Sequence, residues 1–191
     1  MVKFFKFICF VLVIVFLSVS AAQSQFFFMK NPNIGKKISN FTLKTLKGKS
    51  VDFDGLRSGK KSILLFWTTW CPHCRNALKS LARKKQELSE ANIVVILVNT
   101  GEKKNLIESY LKSNLKQEDA DSMNILLDEA ASLAENYDVI GLPTYFLIDD
   151  NGVVVEVDHD FDKYKKVFEK VDKEKEEAAK KLEKVNEKLA K

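Results

Sequence analysis

Cysteine and histidine are both scarce in this chain, which has three cysteines and two histidines among 191 residues. A small exported domain held together by disulfides uses more cysteines, spread along the sequence. A structural zinc site needs four ligands. Cys9 lies in an apolar leader, so only His73 and His159 could join the remaining cysteine pair. The sequence therefore predicts neither a disulfide scaffold nor a bound metal.

Charge of one sign is also lacking. The chain has 31 lysines and arginines against 26 aspartates and glutamates, a formal net charge of +5. Basic and acidic residues alternate along most of its length, and no basic stripe with interleaved aromatic side chains occurs. A nucleic-acid-binding surface would need such a stripe. We therefore expect a globular protein with no nucleic acid partner, since 46% hydrophobic residues suffice for a core.

Residues 1–24 are typical of an export signal. They begin with Lys3 and Lys6, continue through an apolar run and end in small residues such as Ala21 and Ala22. A basic start, an apolar middle and small residues at the end characterise a cleaved signal peptide. The run is short for a bilayer, which takes about 20 residues. Because the three phenylalanines 26–28 follow closely, an uncleaved N-terminal membrane anchor is the alternative.

Strand and helix patterns alternate through residues 32–171, which we predict to be one domain. Two continuous apolar runs, 63–67 and 93–98, indicate buried parallel strands joined through a helix. An N-terminal hairpin is expected to return through residues 51–53 before a polar loop, and Asn151-Gly152 indicates a closing hairpin. The pattern predicts an α/β fold with a mixed central sheet flanked by helices.

The C-terminal stretch has a different pattern. From Phe161 to Leu189 apolar residues recur at steps of three and four, except that Lys175 occupies one apolar position. This predicts one long helix whose first turns close the domain and whose end, residues 172–191, forms a charged amphipathic tail. A solvated face is the favoured interpretation. A coiled coil or partner-docking helix is the alternative, but it would need three to four uninterrupted heptads.

The residues that carry chemistry follow the first apolar run, in the motif Trp70-Cys71-Pro72-His73-Cys74. Two cysteines at this spacing, at the start of a helix, can form a disulfide with each other. Unpaired N–H groups and the positive end of the helix dipole favour the thiolate form of Cys71, which we expect at the exposed end. The predicted reaction is attack by Cys71 on a partner's disulfide, followed by resolution of the mixed disulfide by Cys74.

The segment Phe66-Trp67-Thr68-Thr69-Trp70-Cys71-Pro72-His73-Cys74-Arg75 closely resembles the active site of thioredoxin-like proteins, especially the exported bacterial TlpA/ResA branch. The resemblance extends from about Ile34 to Phe168 and includes Gly141-Leu142-Pro143-Thr144. It implies a thioredoxin fold with an N-terminal β-hairpin, and an enzyme that exchanges disulfides with protein thiols without a cofactor. It also implies a place in the bacterial periplasm or on the outer face of the cytoplasmic membrane, and a membrane protein as electron donor or acceptor.

The resemblance implies roles for residues around Cys71 and Cys74. Pro143 is expected to be cis and to face the active disulfide. One set of residues would tune the redox potential (Trp70, Pro72 and His73), and another would shape the substrate groove (Leu142, Pro143 and Thr144). Trp67 is expected in the core, unlike Trp70 at the rim, and His159 is expected to be a surface residue that opens the last helix.

Three alternatives concern function. Likeness to the exported branch favours a reductant, whereas Pro72-His73 is the dipeptide of periplasmic disulfide-forming oxidases. Many relatives carry a glutamate where this chain has Ala77. The acid that takes part in proton transfer at the cysteine pair must therefore come from elsewhere in the chain, or water must transfer the proton. A non-catalytic binding module on the same scaffold is the second alternative. A peroxidase is disfavoured, because Thr68 fits the peroxiredoxin pattern but Leu64 takes the place of its proline.

Overall fold

The structure is a computed structural model that describes residues 31–189. The predicted export segment, residues 1–24, lies outside the described residues. Within the described part of the chain, no helix has both the length and the apolar character needed to cross a bilayer.

The described residues form one seven-stranded mixed sheet with the order β2-β1-β5-β4-β3-β6-β7. Strands β3, β4 and β5 are mutually parallel, and the other pairings are antiparallel. The mixed sheet, the N-terminal hairpin and the closing hairpin predicted from the sequence are confirmed. The strands are β1 (Thr42–Thr45), β2 (Ser50–Asp52), β3 (Lys61–Trp67), β4 (Ile93–Thr100), β5 (Asn124–Asp128), β6 (Thr144–Ile148) and β7 (Val154–Asp158).

Seven α-helices accompany the sheet in the described residues, and a 3-10 turn (Phe161–Lys163) precedes the last of them. The α-helices are α1 (Phe53–Arg57), α2 (Pro72–Arg83), α3 (Lys85–Glu90), α4 (Lys104–Asn114), α5 (Gln117–Asp121), α6 (Ser132–Asn136) and α7 (Tyr164–Leu189). The prediction that Phe53 ends the return strand was wrong. Asp52 caps helix α1 there by accepting the Gly55 N–H at 2.8 Å, so the chain turns into a helix at Phe53.

Strand β3 is the centre of the fold because both of its faces are covered. Ile63, Leu65 and Trp67 belong to one apolar cluster, and Leu64 and Phe66 belong to the cluster on the opposite side of the sheet. All five side chains have no exposed surface. A central strand buried on both faces reads as a continuous apolar run, which is why the sequence located it correctly.

Helix α7 closes the domain with its first turns and then leaves it. Tyr164 and Phe168 are buried in the core. Lys175, which interrupts the apolar series, binds the β6–β7 turn instead, with its Nζ 2.8 Å from Asp149 Oδ2 and in contact with Asp150. Residues 176–186 are all exposed. That residues 172–191 act as a separate tail stays a prediction.

Candidate active site

Cys71 caps the helix that follows the central strand. Strand β3 ends at Trp67 and helix α2 begins at Pro72, whose fixed φ suits the first helical position. The Cys71 backbone is extended (φ −80°, ψ 115°), and its Sγ accepts the Cys74 N–H at 3.2 Å. The sulfur thus occupies the place of a helix-capping oxygen, where unpaired N–H groups and the helix dipole stabilise negative charge.

The expectation that Cys71 lies at the exposed end was wrong. The residue is only 4% exposed, and Cys74 is fully buried. The cover comes from a loop far away in sequence, because the Leu142 carbonyl oxygen lies 3.6 Å from Cys71 Sγ. Both cysteines are free thiols in this structure, so their sulfurs belong to the reduced form of the pair.

The thiol of Cys74 is less acidic than an ordinary cysteine because it is buried. Burial, and then a hydrogen bond with Cys71, raise the pKa of the Cys74 thiol to about 12. Cys74 therefore holds its proton across the physiological pH range. The two sulfurs therefore have different environments: Cys71 Sγ lies at the N-terminus of α2, and Cys74 is fully buried.

The rim of the site is polar and aromatic. Trp70 is 66% exposed, whereas Trp67 is fully buried, which confirms the distinction drawn between them. Pro72 and His73 are exposed in the first turn of α2. The tuning roles predicted for Trp70, Pro72 and His73 stay predictions. Sequence reasoning did not single out Ile140, which is 100% exposed just before the loop that covers Cys71.

The loop that covers Cys71, residues 141–144, is brought there by the sheet. Strand β6 pairs antiparallel with β3, and Thr144 lies opposite Phe66 near the end of β3. The Leu142–Pro143 peptide bond is cis, as the resemblance implies. Pro143 and Thr144 are buried and Leu142 is half-buried. The structure thus brings the loop to Cys71 through Leu142. The role of Leu142, Pro143 and Thr144 in a substrate groove stays a prediction.

Glu102 is a buried residue of the site that sequence reasoning missed. It follows β4 and is 8% exposed. Its carboxylate accepts the Thr69 N–H at 2.7 Å, the Thr69 hydroxyl at 2.6 Å and the Asn99 amide at 2.7 Å. The Thr69 carbonyl accepts from Arg75 at 2.8 Å. The chain leading into Cys71 is therefore held from two sides. The available signal was that parallel β3 and β4 end at the same edge of the sheet.

His159 is exposed, as expected, but the expectation that it opens the last helix was wrong, because it directly follows β7 and that helix begins at Tyr164. It also contacts the 141–144 loop, which the sequence did not indicate. Among residues 31–189, no group of three or more side chains of the histidine, cysteine or carboxylate type is arranged to hold a metal ion.

Comparison with known proteins identifies the family. Residues 34–157 match the AhpC/TSA family, and the chain belongs to that family. It is 32% identical over 123 residues to the thiol-disulfide oxidoreductase ResA of Bacillus subtilis, a match covering 64% of this chain and 65% of ResA, just under two thirds. It is 31% identical over 117 residues to the sporulation thiol-disulfide oxidoreductase A of the same organism, covering 60% and 67%.

The fold is shared with solved structures. The crystal structure of the thioredoxin domain of a thiol-disulfide oxidoreductase from Bacteroides vulgatus superposes with a TM-score of 0.60 at 23% identity, covering 72% of this chain and 96% of that domain. The predicted thioredoxin fold and the resemblance to the ResA branch are confirmed.

Proposed function

We propose that the protein is an extracytoplasmic thiol-disulfide oxidoreductase that exchanges disulfides with protein substrates through Cys71 and Cys74, working as a reductant. The observation that carries this proposal is the asymmetry of the two sulfurs. Cys71 Sγ sits 3.2 Å from a helix N–H group, while Cys74 lies fully buried with its pKa raised. The names of the ResA and sporulation relatives support the same activity.

The exchange proceeds in two displacement steps. The Cys71 thiolate attacks one sulfur of a substrate disulfide, so that bond breaks and the other substrate sulfur leaves as a thiolate. Cys74 then transfers its proton to that thiolate and attacks Cys71 Sγ. The second substrate sulfur leaves, and the Cys71–Cys74 disulfide forms. The substrate gains two electrons from the pair, one proton from Cys74 and one proton from water. A dithiol of a membrane protein then reduces the Cys71–Cys74 disulfide.

Spacing along the helix makes the second step possible. Cys74 stands three residues after Cys71, and its own N–H already touches the Cys71 sulfur at 3.2 Å. The exposed Trp70 and Ile140 offer apolar contact area beside the pair for a protein substrate. No cofactor is required for either step, since the electrons move between sulfur atoms.

Reduction of insulin disulfides tests the activity. The wild-type protein with dithiothreitol should accelerate reduction, and Cys71→Ser should abolish the acceleration because the attacking sulfur is gone. Cys74→Ser should accumulate a mixed disulfide through Cys71, visible by mass spectrometry. A binding module would behave differently, with Cys71→Ser retaining full function and Cys74→Ser trapping nothing.

The direction of exchange is tested by the equilibrium redox potential against glutathione. The proposal expects a value near that of thioredoxin, about −270 mV, whereas an oxidant would lie near −120 mV. The Pro72-His73 dipeptide is the feature that supports the oxidant alternative. A potential near the higher value would reverse the proposed direction while leaving the exchange chemistry in place.

Export is proposed from residues 1–24 and tested by a reporter fusion. Residues 1–30 joined to a phosphatase that folds only outside the cytoplasm should give an active enzyme. Leu12→Arg in the apolar run should abolish that activity, because the run no longer partitions into the membrane. An inactive wild-type fusion would contradict the proposed location.

A further inference from the structure

His159 contacts the loop that covers the reactive cysteine. The residue follows β7, which pairs with β6, so it lies beside the start of β6. Its ring Nδ1 is 2.7 Å from the Pro143 carbonyl oxygen and 3.4 Å from Thr144 Oγ1. Because a carbonyl only accepts, Nδ1 must carry a proton and donate it, whether the ring is neutral or charged.

The loop is shaped to receive this ring. A Cβ atom at Gly141 would lie 3.3 Å from His159 Cε1, so the absence of a side chain at Gly141 leaves the space in which the imidazole sits. The loop is also closed on itself, because the Thr144 hydroxyl donates to the Gly141 carbonyl at 2.5 Å. The 141–144 loop thus contacts the segment that follows β7 through His159.

The other side of the same loop faces the cysteine pair. The Leu142 carbonyl oxygen lies 3.6 Å from Cys71 Sγ, and only 4% of the Cys71 surface is exposed. The Leu142 and Pro143 carbonyls belong to adjacent residues. A shift of the Pro143 carbonyl therefore moves the Leu142 carbonyl and changes how much of the sulfur is open.

We propose that His159 is a positioning residue that holds the 141–144 loop over Cys71 through its hydrogen bond to the Pro143 carbonyl. It sets the access of a partner to the sulfur and does not itself touch the reacting atoms. Its consequence for catalysis rests on the proposed function, whereas the contact and the access it controls do not.

The test is the rate at which iodoacetamide alkylates Cys71 in the reduced full-length protein, followed by peptide mass mapping. His159→Leu removes the donor, and the nearly isosteric His159→Asn keeps an N–H donor close to the position of Nδ1. Loss of one hydrogen bond of ordinary strength should raise the open population, and with it the limiting rate at high pH, by roughly 2- to 12-fold in the leucine variant. The asparagine variant should return most of the way to wild type.

The pH profile separates access from acidity. A freed loop raises the limiting rate, whereas an altered charge near the sulfur moves the midpoint of the profile. Equal limiting rates in wild type and His159→Leu would overturn the proposal, as would an equal rise in the leucine and asparagine variants. Alkylation needs no disulfide substrate, so a positive result beside inactive insulin reduction would refute the proposed function alone.

Gly141→Ala provides a second, independent variant. The added methyl group presses on the His159 ring, so it should raise the limiting rate in the wild-type background and have no effect on top of His159→Leu. An equal effect of Gly141→Ala in both backgrounds would show that the two residues do not act together, and would contradict the proposed contact.

Discussion

Replacing Glu102 tests whether a buried carboxylate holds the chain that enters the active site. Glu102→Ala leaves the Thr69 N–H and the fully buried Asn99 amide without their acceptor. Each buried donor left unpaired costs about 1–3 kcal/mol. The substitution also removes the penalty of burying a carboxylate, and water can reach the half-buried Thr69. We therefore expect a net loss of about 2–4 kcal/mol in the free energy of unfolding.

Glu102→Gln is the matched control because it can preserve all three contacts. Its amide oxygen can take the place of Oε2, which accepts from Thr69 N and Asn99, and its amide nitrogen can donate to the Thr69 hydroxyl. Only the charge is lost, so we expect a cost of less than about 1 kcal/mol. Glu108→Ala, which removes an exposed pair with Lys104, should cost about 0.5 kcal/mol or less.

Thermal unfolding measures the difference. A domain of this size loses roughly 2–4 °C in melting temperature per kcal/mol, so the alanine variant should melt roughly 4–16 °C below wild type. The glutamine and Glu108→Ala variants should stay within a few degrees. If Glu102→Ala and Glu102→Gln melted at the same temperature, the carboxylate contacts would not hold the Thr69 segment, and the reasoning would fail.

Three further outcomes are expected. Because the pKa of Cys74 is raised to about 12, iodoacetamide at about pH 8 should modify one cysteine of the reduced folded domain and spare Cys74; mass mapping checks this. A hydrogen bond from Lys175 lowers the pKa of Asp150, so the pair stabilises the fold at neutral pH. This contribution is lost as pH falls through the lowered pKa of Asp150. Lys175→Met should therefore reduce the melting temperature at pH 7 and leave it unchanged near about pH 2. Deleting residues 177–191 should change the free energy of unfolding by less than about 0.5 kcal/mol, whereas Phe168→Ala, at a 4% exposed core position, should cost about 3–5 kcal/mol in denaturant titrations.

The sequence correctly predicted the strands and helices whose signal lies within a short stretch of the chain. The apolar runs at 63–67 and 93–98 correspond to β3 and β4, and the cysteine motif begins a helix as expected. The same reasoning missed helix α1, because the decisive signal was a single capping side chain, Asp52, within a segment that otherwise alternates like a strand.

The site itself was only half accessible to such reasoning. The spacing of Cys71 and Cys74 identified them as the site, but the burial of Cys71 depends on Leu142, which is distant in the sequence. Glu102 and His159 likewise reach the site only through strand pairing, and neither belongs to a motif. Contacts made by the sheet between distant segments cannot be read from the segments singly.

The difference between the Cys71 sulfur, which caps a helix, and the fully buried Cys74 sulfur arises from tertiary structure alone. In an unfolded chain both cysteines are ordinary side chains in water, a few residues apart and nearly equivalent. Only when β3, β4 and β6 have assembled is Cys74 fully buried in the core, while Cys71, itself only 4% exposed, lies at the start of a helix. The ratio of their labelling rates therefore reports on folding, because the two cysteines become different only when the sheet forms.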